Sequence, residues 1–319
     1  MDYKQSLSLI NFLAKEWDID PGICFEILKL IHDKNIIRHT PPARFLNEFS
    51  FICDNNYKVE EKIRILNLLF PANFKDREAR RLESFRLASI FEVLEKLEGR
   101  KIIIGNISAI KKLLTRVSKN TDWVFQFGLE LRKGKSIKTK IYLGIANRDA
   151  HYPIFIIELL QEICDIFGID YNYLVNSIIF NNKIDSLGIN LTESGWGLKI
   201  YDYVLYPDRK ETHDLLEKYQ SFGKEREGPL YEDFCRIIRE NKIYGKRNFD
   251  TSLTYKFCDN SMDLKSVKIN IHLDPLAEAE KIFKGTLLAK SALCRFLKAN
   301  NIRVSFIGHE FQKMFFYVR

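Results

Sequence analysis

The chain has six cysteines in 319 residues (Cys24, Cys53, Cys164, Cys235, Cys258 and Cys294), and no two of them form a C-x-x-C pair. That scatter excludes a zinc ribbon or a dithiol redox motif. Contexts such as "EICDIF" and "SALCRF" suit buried thiols in a reducing compartment. No apolar run reaches the roughly 18 residues that a membrane-spanning helix needs. The start, "MDYKQSLSLINFLAKEW", lacks the basic n-region and continuous apolar core of a secretory signal. The expectation is a soluble cytoplasmic protein with no membrane partner. Walker A and Rossmann glycine patterns are missing, which argues against nucleoside triphosphate chemistry. His32, His39, His151, His213 and His309 show no ligand spacing, which argues against a metal held by protein alone. With only 15 glycines and 8 prolines, no low-complexity linker divides the chain, so residues 1–319 read as one domain.

Aromatic residues and positive charge are abundant. There are 24 Phe and 14 Tyr, and 50 Lys and Arg outnumber 42 Asp and Glu for a net charge of +8. A basic excess of that size points to an anionic partner. Apolar spacing of three and four predicts helices over Lys4–Trp17, Pro21–His32, Asp76–Leu97, Ser108–Val117, Pro153–Phe167, Lys210–Tyr219, Tyr231–Glu240 and Pro275–Ala299. Between them lie paired alternating segments. They are "RFLNEFSFICD" with "KVEEKIRILNLLF", "DWVFQFGLELR" with "SIKTKIYLGIAN", "NNKIDSLGINLT" with "WGLKIYDYVLY", "NFDTSLTYKF" with "SVKINIHLD", and "IRVSFIGHEF" with "KMFFYVR". Strand, strand, helix therefore recurs about five times.

Each strand pair has one apolar and one polar face. In "KTKIYLGI" the polar face carries Lys138, Lys140, Tyr142 and Gly144; in "LKIYDYV" it carries Lys199, Tyr201 and Tyr203. In "VKINIHL" it carries Lys268, Asn270 and His272, and in "KMFFYVR" Lys313, Phe315 and Tyr317. An apolar sheet face needs cover, which the amphipathic helices supply. About ten antiparallel strands could close into a barrel with helices outside and a polar lumen. The expected fold is therefore α+β, a single antiparallel barrel inside a helical shell. Positions i and i+2 on a strand point the same way, so Lys140 with Tyr142 and Lys199 with Tyr201 would aim at one cavity. A solvated strand face explains any one such pair. It explains less well why the second strand of four successive hairpins puts Tyr, Tyr, Asn or Phe two residues after a lysine.

Convergent ammonium groups with phenol donors suit a diphosphate, neutralising it as it leaves. Further aromatic rings would shield the allylic cation left behind. No DDxxD-type cluster is present, which argues against the all-helical prenyl synthases. Lys140, Tyr142, Lys199, Tyr201, Lys268, His272, Lys313 and Tyr317 are the candidate diphosphate residues, with Arg64 and Arg132 as further members. Gly144, Tyr203, Asn270 and Phe315 would line the prenyl and acceptor pocket, Gly144 and Asn270 leaving room for a chain longer than five carbons. Magnesium could ride on the diphosphate. Glu60 and Glu61 read as solvated turn charges.

The order of these segments resembles the aromatic and peptide prenyltransferases of the ABBA fold, and within them the cyanobactin (ribosomal cyclic peptide) prenyltransferases. "FLAKEWDIDPGICFEIL" resembles their N-terminal helices, "FGLELR" their "GxDLR" strand and "TKIYLGI" their "LKIHIR"-like strand. "KINIHL" resembles "YYHL", and "FIG" followed by "KMFFYV" resembles "WVG" followed by "RLYYY". The resemblance implies transfer of a dimethylallyl or geranyl group from its diphosphate to a side chain of a ribosomal, macrocyclic peptide. It also implies an acceptor carboxylate in a context like "LEAS", matched by Glu48 in "NEFS", with Glu130 as the substitute; a carboxylate there can take the proton that the acceptor loses. If Glu48 and Glu130 converge, a cationic arginine acceptor gains ground. Three other readings stand beside this one: a small-molecule aromatic prenyltransferase, an inactive peptide-binding relative, and a basic single-stranded nucleic-acid binder whose lysines and aromatics lie on an open sheet. No nucleic-acid partner is expected on the main reading.

Overall fold

A computed structural model describes the chain except for residues 37–43, 71–76, 104–106, 120–122, 135–136, 146–151, 178–183, 194, 206–208, 222–227, 241–249 and 259–260. Two helices followed by two strands recur five times. Helices α1 (Tyr3–Trp17) and α2 (Gly22–Ile36) precede β1 (Arg44–Cys53) and β2 (Lys62–Phe70); α3 (Arg77–Gly99) and α4 (Ile107–Ser118) precede β3 (Trp123–Arg132) and β4 (Lys138–Ile145). Then come α5 (Tyr152–Phe167), α6 (Tyr171–Ser177), β5 (Ile184–Thr192) and β6 (Gly195–Leu205), followed by α7 (Arg209–Ser221), α8 (Pro229–Glu240), β7 (Asp250–Cys258) and β8 (Ser261–Ala277). The last repeat is α9 (Ala279–Ile282), α10 (Ala292–Ala299), β9 (Val304–Glu310) and β10 (Lys313–Val318).

All ten strands are antiparallel and form a closed ring, β1 pairing with both β2 and β10. Strand alternation sorts the side chains. Phe125, Phe127, Ile141, Leu143, Leu187, Ile189, Leu198 and Ile200 point outward and are almost fully buried under the helices. The helices meet them with apolar stripes at intervals of three and four, Leu230, Phe234, Ile237 and Ile238 on α8 and Ile107, Ile110, Leu113, Leu114 and Val117 on α4. Two polar contacts pin this layer: Tyr219 on α7 meets Nδ1 of His309 at 2.8 Å, and Lys218 reaches the buried Asp202 at 3.5 Å. Between the inward faces lies the polar lumen.

One expected element differs. The segment Pro275–Ala299 is not a single helix; β8 runs on through Pro275 to Ala277, and α9 is only four residues long. Gly285, at φ +86°, then breaks the helical pattern before α10 starts on its Ser291 cap. The short helix α6 was not anticipated either. Among the described residues, no helix is long and apolar enough to cross a membrane.

Candidate functional site

The hairpin turns gather at one end of the barrel and the helix connections at the other. Near the turn end, inward positions on five strands bring together Lys62, Arg64, Lys140, Lys199, Lys256 and Lys268. Lys199 and Tyr142 keep partial contact with water, whereas their outward-facing neighbours Ile200 and Ile141 have none. The polar face therefore borders open space inside the wall. The lysines and aromatics thus line a closed barrel, not the open exposed sheet that the nucleic-acid reading calls for.

Glu130 is the anionic hub of one side. Its Oε2 lies 3.0 Å from Lys140 Nζ and 3.0 Å from Arg64 Nε, while Oε1 accepts from Arg132 Nη2 at 2.8 Å and lies 3.8 Å from Lys62. Burial opposes its ionisation, but Lys140, Arg64 and Lys62 outweigh burial and hold the carboxyl well below the usual range. A carboxylate held that way is a weak base. Its contacts are those of a counter-ion to Lys140, Arg64 and Arg132. Glu48 has partners of its own, Arg319 Nε at 2.7 Å and Ser305 Oγ at 3.2 Å on Oε2, and none is shared with Glu130. The two carboxylates occupy separate ion pairs.

The opposite wall has a second hub, Glu310, which binds Lys256 and accepts from Ser266 Oγ at 2.5 Å. Lys268 lies 3.8 Å from the ring centre of Phe315 and 4.6 Å from that of Tyr317, whose hydroxyl it also meets. Phe315 is thus a floor beneath cations, with Lys256 at 5.5 Å and Arg64 at 5.9 Å. It was expected among the prenyl contacts and stands with the cations instead. Burial first, then repulsion from Lys256 and Arg64, pushes the Lys268 ammonium well below its ordinary range. Lys199 is pushed down too, by burial and then by Lys140, Lys256 and Arg64. Burial also lowers Lys62, to about 8.

Arg64 shows what the cluster wants. It is 9% exposed, its Nη1 has no hydrogen-bond partner, and its Nε sits at ion-pair distance from Glu130 without hydrogen-bond alignment. Buried donors are seldom left unmade. An anion entering the lumen would satisfy these, and Lys199 with them, since the strongest electrostatic neighbours of Lys199 are all cations.

Other expected residues separate from this group. Lys313 is half exposed at the rim, bound to Glu60 at 2.8 Å, and Glu60 also holds Lys62; the glutamate read as a solvated turn charge thus belongs to the mouth. Arg132 is partly exposed beside it. The His272 ring packs at a tilt of 48° against Phe306, 4.6 Å between centres, towards the helix-connection end. Tyr142 and Tyr201 approach across β5 with ring centres 5.9 Å apart, and the Tyr142 ring lies over Gly188, where a β-carbon would be 3.0 Å from it. Asn270 does not leave its space empty: Nδ2 donates to Thr254 at 3.0 Å, and Oδ1 accepts from Tyr317 at 3.4 Å. Gly144 is half-buried on the inner face, and the side chain of Tyr203 lies outside the described residues.

Sequence reasoning missed Lys62, Lys256, Glu310, Phe306, Gly308 and Arg319. Lys256 was within reach: in "SLTYKF", Leu253, Tyr255 and Phe257 form the apolar alternation that leaves Lys256 inside. Among the described residues, no three His, Cys, Asp or Glu side chains group to hold a metal ion.

No protein-family profile matches the sequence, and no curated protein does. Solved structures do. The 5-dimethylallyltryptophan synthase from Streptomyces coelicolor superposes with a TM-score of 0.67 at 13% identity, covering 96% of this chain and 94% of its own. The 6-dimethylallyltryptophan synthase from Micromonospora olivasterospora, in complex with DMASPP and Trp, gives 0.63 at 12% over 96% and 93%. NotF prenyltransferase gives 0.55 at 16% over 86% and 80%. At such identities the likeness is one of architecture: this chain has a closed ten-stranded antiparallel barrel within helices, the fold of these structures.

Proposed function

We propose that the protein is a prenyltransferase that moves an isoprenyl group from its diphosphate to a nucleophilic acceptor. One observation carries the reading: Lys62, Arg64, Lys140, Lys199, Lys256 and Lys268 converge in the lumen against Glu130 and Glu310, with Arg64 donors left unpaired. Diphosphate oxygens would take up those donors. As the allylic C1–O bond breaks, its electron pair stays with the leaving diphosphate, whose growing charge the cations and the hydroxyls of Tyr142, Tyr201 and Tyr317 stabilise. The tyrosine rings then shield the allylic cation from water until the acceptor attacks. The proton that the acceptor loses goes to Glu48. In this reading Glu130 orients and neutralises Lys140, Arg64 and Arg132, and the lysines supply the charge that a magnesium ion on the diphosphate would otherwise supply.

Two acceptor classes follow from different observations. The order of the strand segments supports a side chain within a cyclic peptide. The barrel fold shared with two dimethylallyltryptophan synthases, one in complex with Trp, supports an indole. The test is mass spectrometry of reactions with dimethylallyl or geranyl diphosphate, offering free tryptophan, free tyrosine and cyclic peptides containing either. A mass gain of one prenyl unit on any acceptor is expected. No transfer to any of them, with no saturable diphosphate binding by calorimetry, would end the proposal.

A further inference from the structure

Arg319 is held in place by its backbone. Its N–H donates to Arg303 O at 2.9 Å and its carbonyl accepts from Arg303 N–H at 3.2 Å, extending the β10 pairing. Phe49 pairs with Val318, so the same register sets Arg319 opposite Glu48. Its guanidinium lies 5.2 Å from the ring centre of Phe306, itself packed against His272 and Tyr317. From there Nε donates to Oε2 of Glu48 at 2.7 Å, while Ser305 Oγ donates to the same oxygen. Oε1 takes part in neither bond. Glu48 is 5% exposed.

We propose that Arg319 is a specificity-determining residue: it neutralises Glu48 through Oε2, leaves Oε1 to a neutral N–H or O–H, and closes the acceptor pocket to cationic groups. The inference rests on the reading of Glu48 as the acceptor-side carboxylate. A guanidinium or ammonium arriving at Oε1 would meet the Arg319 charge a few ångströms away, in a site walled by aromatic rings. Like charges at such separations weaken binding by on the order of 10²-fold at the effective dielectric of a protein site. A neutral hydrogen-bond donor pays no such penalty and gains the flat face of Phe306.

The experiment is calorimetric titration of the full chain with methylguanidinium and, separately, indole. Wild type should bind indole and show no saturable methylguanidinium binding. Arg319→Gln should gain methylguanidinium affinity by on the order of 10²-fold, and the gain should vanish in Arg319→Gln/Glu48→Gln. Indole affinity should move only a few-fold. Arg319→Met, which keeps the packing on Phe306 without the charge, must show the same gain if the glutamine variant folds poorly. Equal methylguanidinium affinity in wild type and both variants would overturn the proposal, as would a gain that survives loss of Glu48. These affinities do not depend on turnover. Absence of prenyl transfer with every acceptor would sink the proposed function and leave them standing, whereas transfer to indole with no methylguanidinium gain would overturn the role of Arg319 alone.

Discussion

Lys268 crosses Gly308 so closely that a β-carbon at position 308 would lie 2.7 Å from the lysine Cε. The same β-carbon would meet Asn270 Oδ1 at 2.7 Å and the carbonyl oxygen of Ile269 at 2.9 Å. The lysine could swing aside, but the neighbouring backbone could not. Gly308→Ala should therefore displace Lys268 from Phe315 and strain the β8–β9 pairing. Overpacking of this kind costs about 1–3 kcal/mol. A lowered melting temperature and a donor affinity weakened about tenfold are expected, the tenfold being one charge-assisted contact of about 1.5 kcal/mol. Calorimetry with dimethylallyl diphosphate checks it, and wild-type affinity would show that Lys268 is not a donor contact.

Glu130 gathers Lys140, Arg64 and Arg132, with Lys62 close by. Removing the anionic partner of a buried ion cluster typically costs about 3–5 kcal/mol, because the cations lose their counter-charge. Glu130→Gln should unfold at a markedly lower temperature than wild type. A bound diphosphate supplies the missing negative charge, so saturating dimethylallyl diphosphate should raise the melting temperature of the variant more than that of wild type. Equal ligand-induced shifts in thermal unfolding would place the diphosphate away from this cluster.

Lys140 is bonded to Glu130 at 3.0 Å, whereas the strongest electrostatic neighbours of Lys199 are all cations. Removing a desolvated charge of that kind relieves repulsion in the empty barrel. Lys199→Ala should keep or raise the melting temperature without ligand, and slow prenyl transfer by on the order of 10²–10³, the usual effect of losing one transition-state donor. Single-turnover kinetics beside thermal unfolding separates the two effects. A variant both less stable and fully active would reverse the assignment.

The barrel was legible because strand alternation is a strong local signal. Even the β1–β2 hairpin, "RFLNEFSFICD" with "KVEEKIRILNLLF", forms over nearly the expected residues. The lysines of the second strands were legible for the same reason, since each stands two residues before a Tyr, Asn or Phe. Lys256 sits on the first strand of its pair, and Lys62, on the second strand β2, is followed two residues later by Arg64, so neither shows that pattern. The roles of Gly308 and Arg319 were not legible at all. A glycine in a strand reads as a weak point until the side chain that crosses it is known, and Arg319 meets Glu48 only because the ring closes between β10 and β1. Pro275–Ala299 failed for a different reason: its apolar spacing fits a helix, and Gly285 at positive φ overrides it.

Lys62 allows a test by pH. Burial, only partly offset by Glu130 and Glu60, lowers its ammonium from the ordinary 10.5 to about 8. Below pH 8 both folded and unfolded chains carry the proton, and the folded chain bears the full penalty of the buried charge. Between about 8 and 10.5 the folded chain sheds it while the unfolded chain keeps it, so stability from this site rises with pH. Lys62→Met should be more stable than wild type at pH 7, by on the order of 3 kcal/mol, with the difference fading towards pH 10.5. The buried thiols run the opposite way, with Cys24 raised to about 12 and Cys164 to about 11, so only the difference between the two proteins isolates Lys62. Denaturant unfolding at pH 7, 8.5 and 10 provides the measurement; a difference independent of pH would mean that the buried ammonium is not the cause.

Glu48 is the residue on which the acceptor chemistry turns. Phe49 and Phe51 are buried in the outer core, and Asn47 reaches outward to Ser6 Oγ at 2.8 Å. Alternation therefore turns Glu48 inward, at the middle of β1 and further from the turn end than the lysines. An indole N–H or a hydroxyl that attacks the allylic cation becomes more acidic as the new bond forms, and a carboxylate in hydrogen-bond reach takes that proton. Positioned proton transfer of this kind contributes about 10²–10⁴ in rate. Glu48→Gln keeps the shape and the bond to Ser305 but removes both the base and the counter-charge of Arg319. It should lower kcat within that range while the affinity for dimethylallyl diphosphate, measured by calorimetry, stays within a few-fold of wild type, because none of the lysines at the turn end touches Glu48. A parallel loss of donor affinity would instead make Glu48 part of the wall that supports the diphosphate site. Full transfer activity would mean that the proton leaves by another route, and Glu130, the other inward carboxylate beside the cations, would be replaced next.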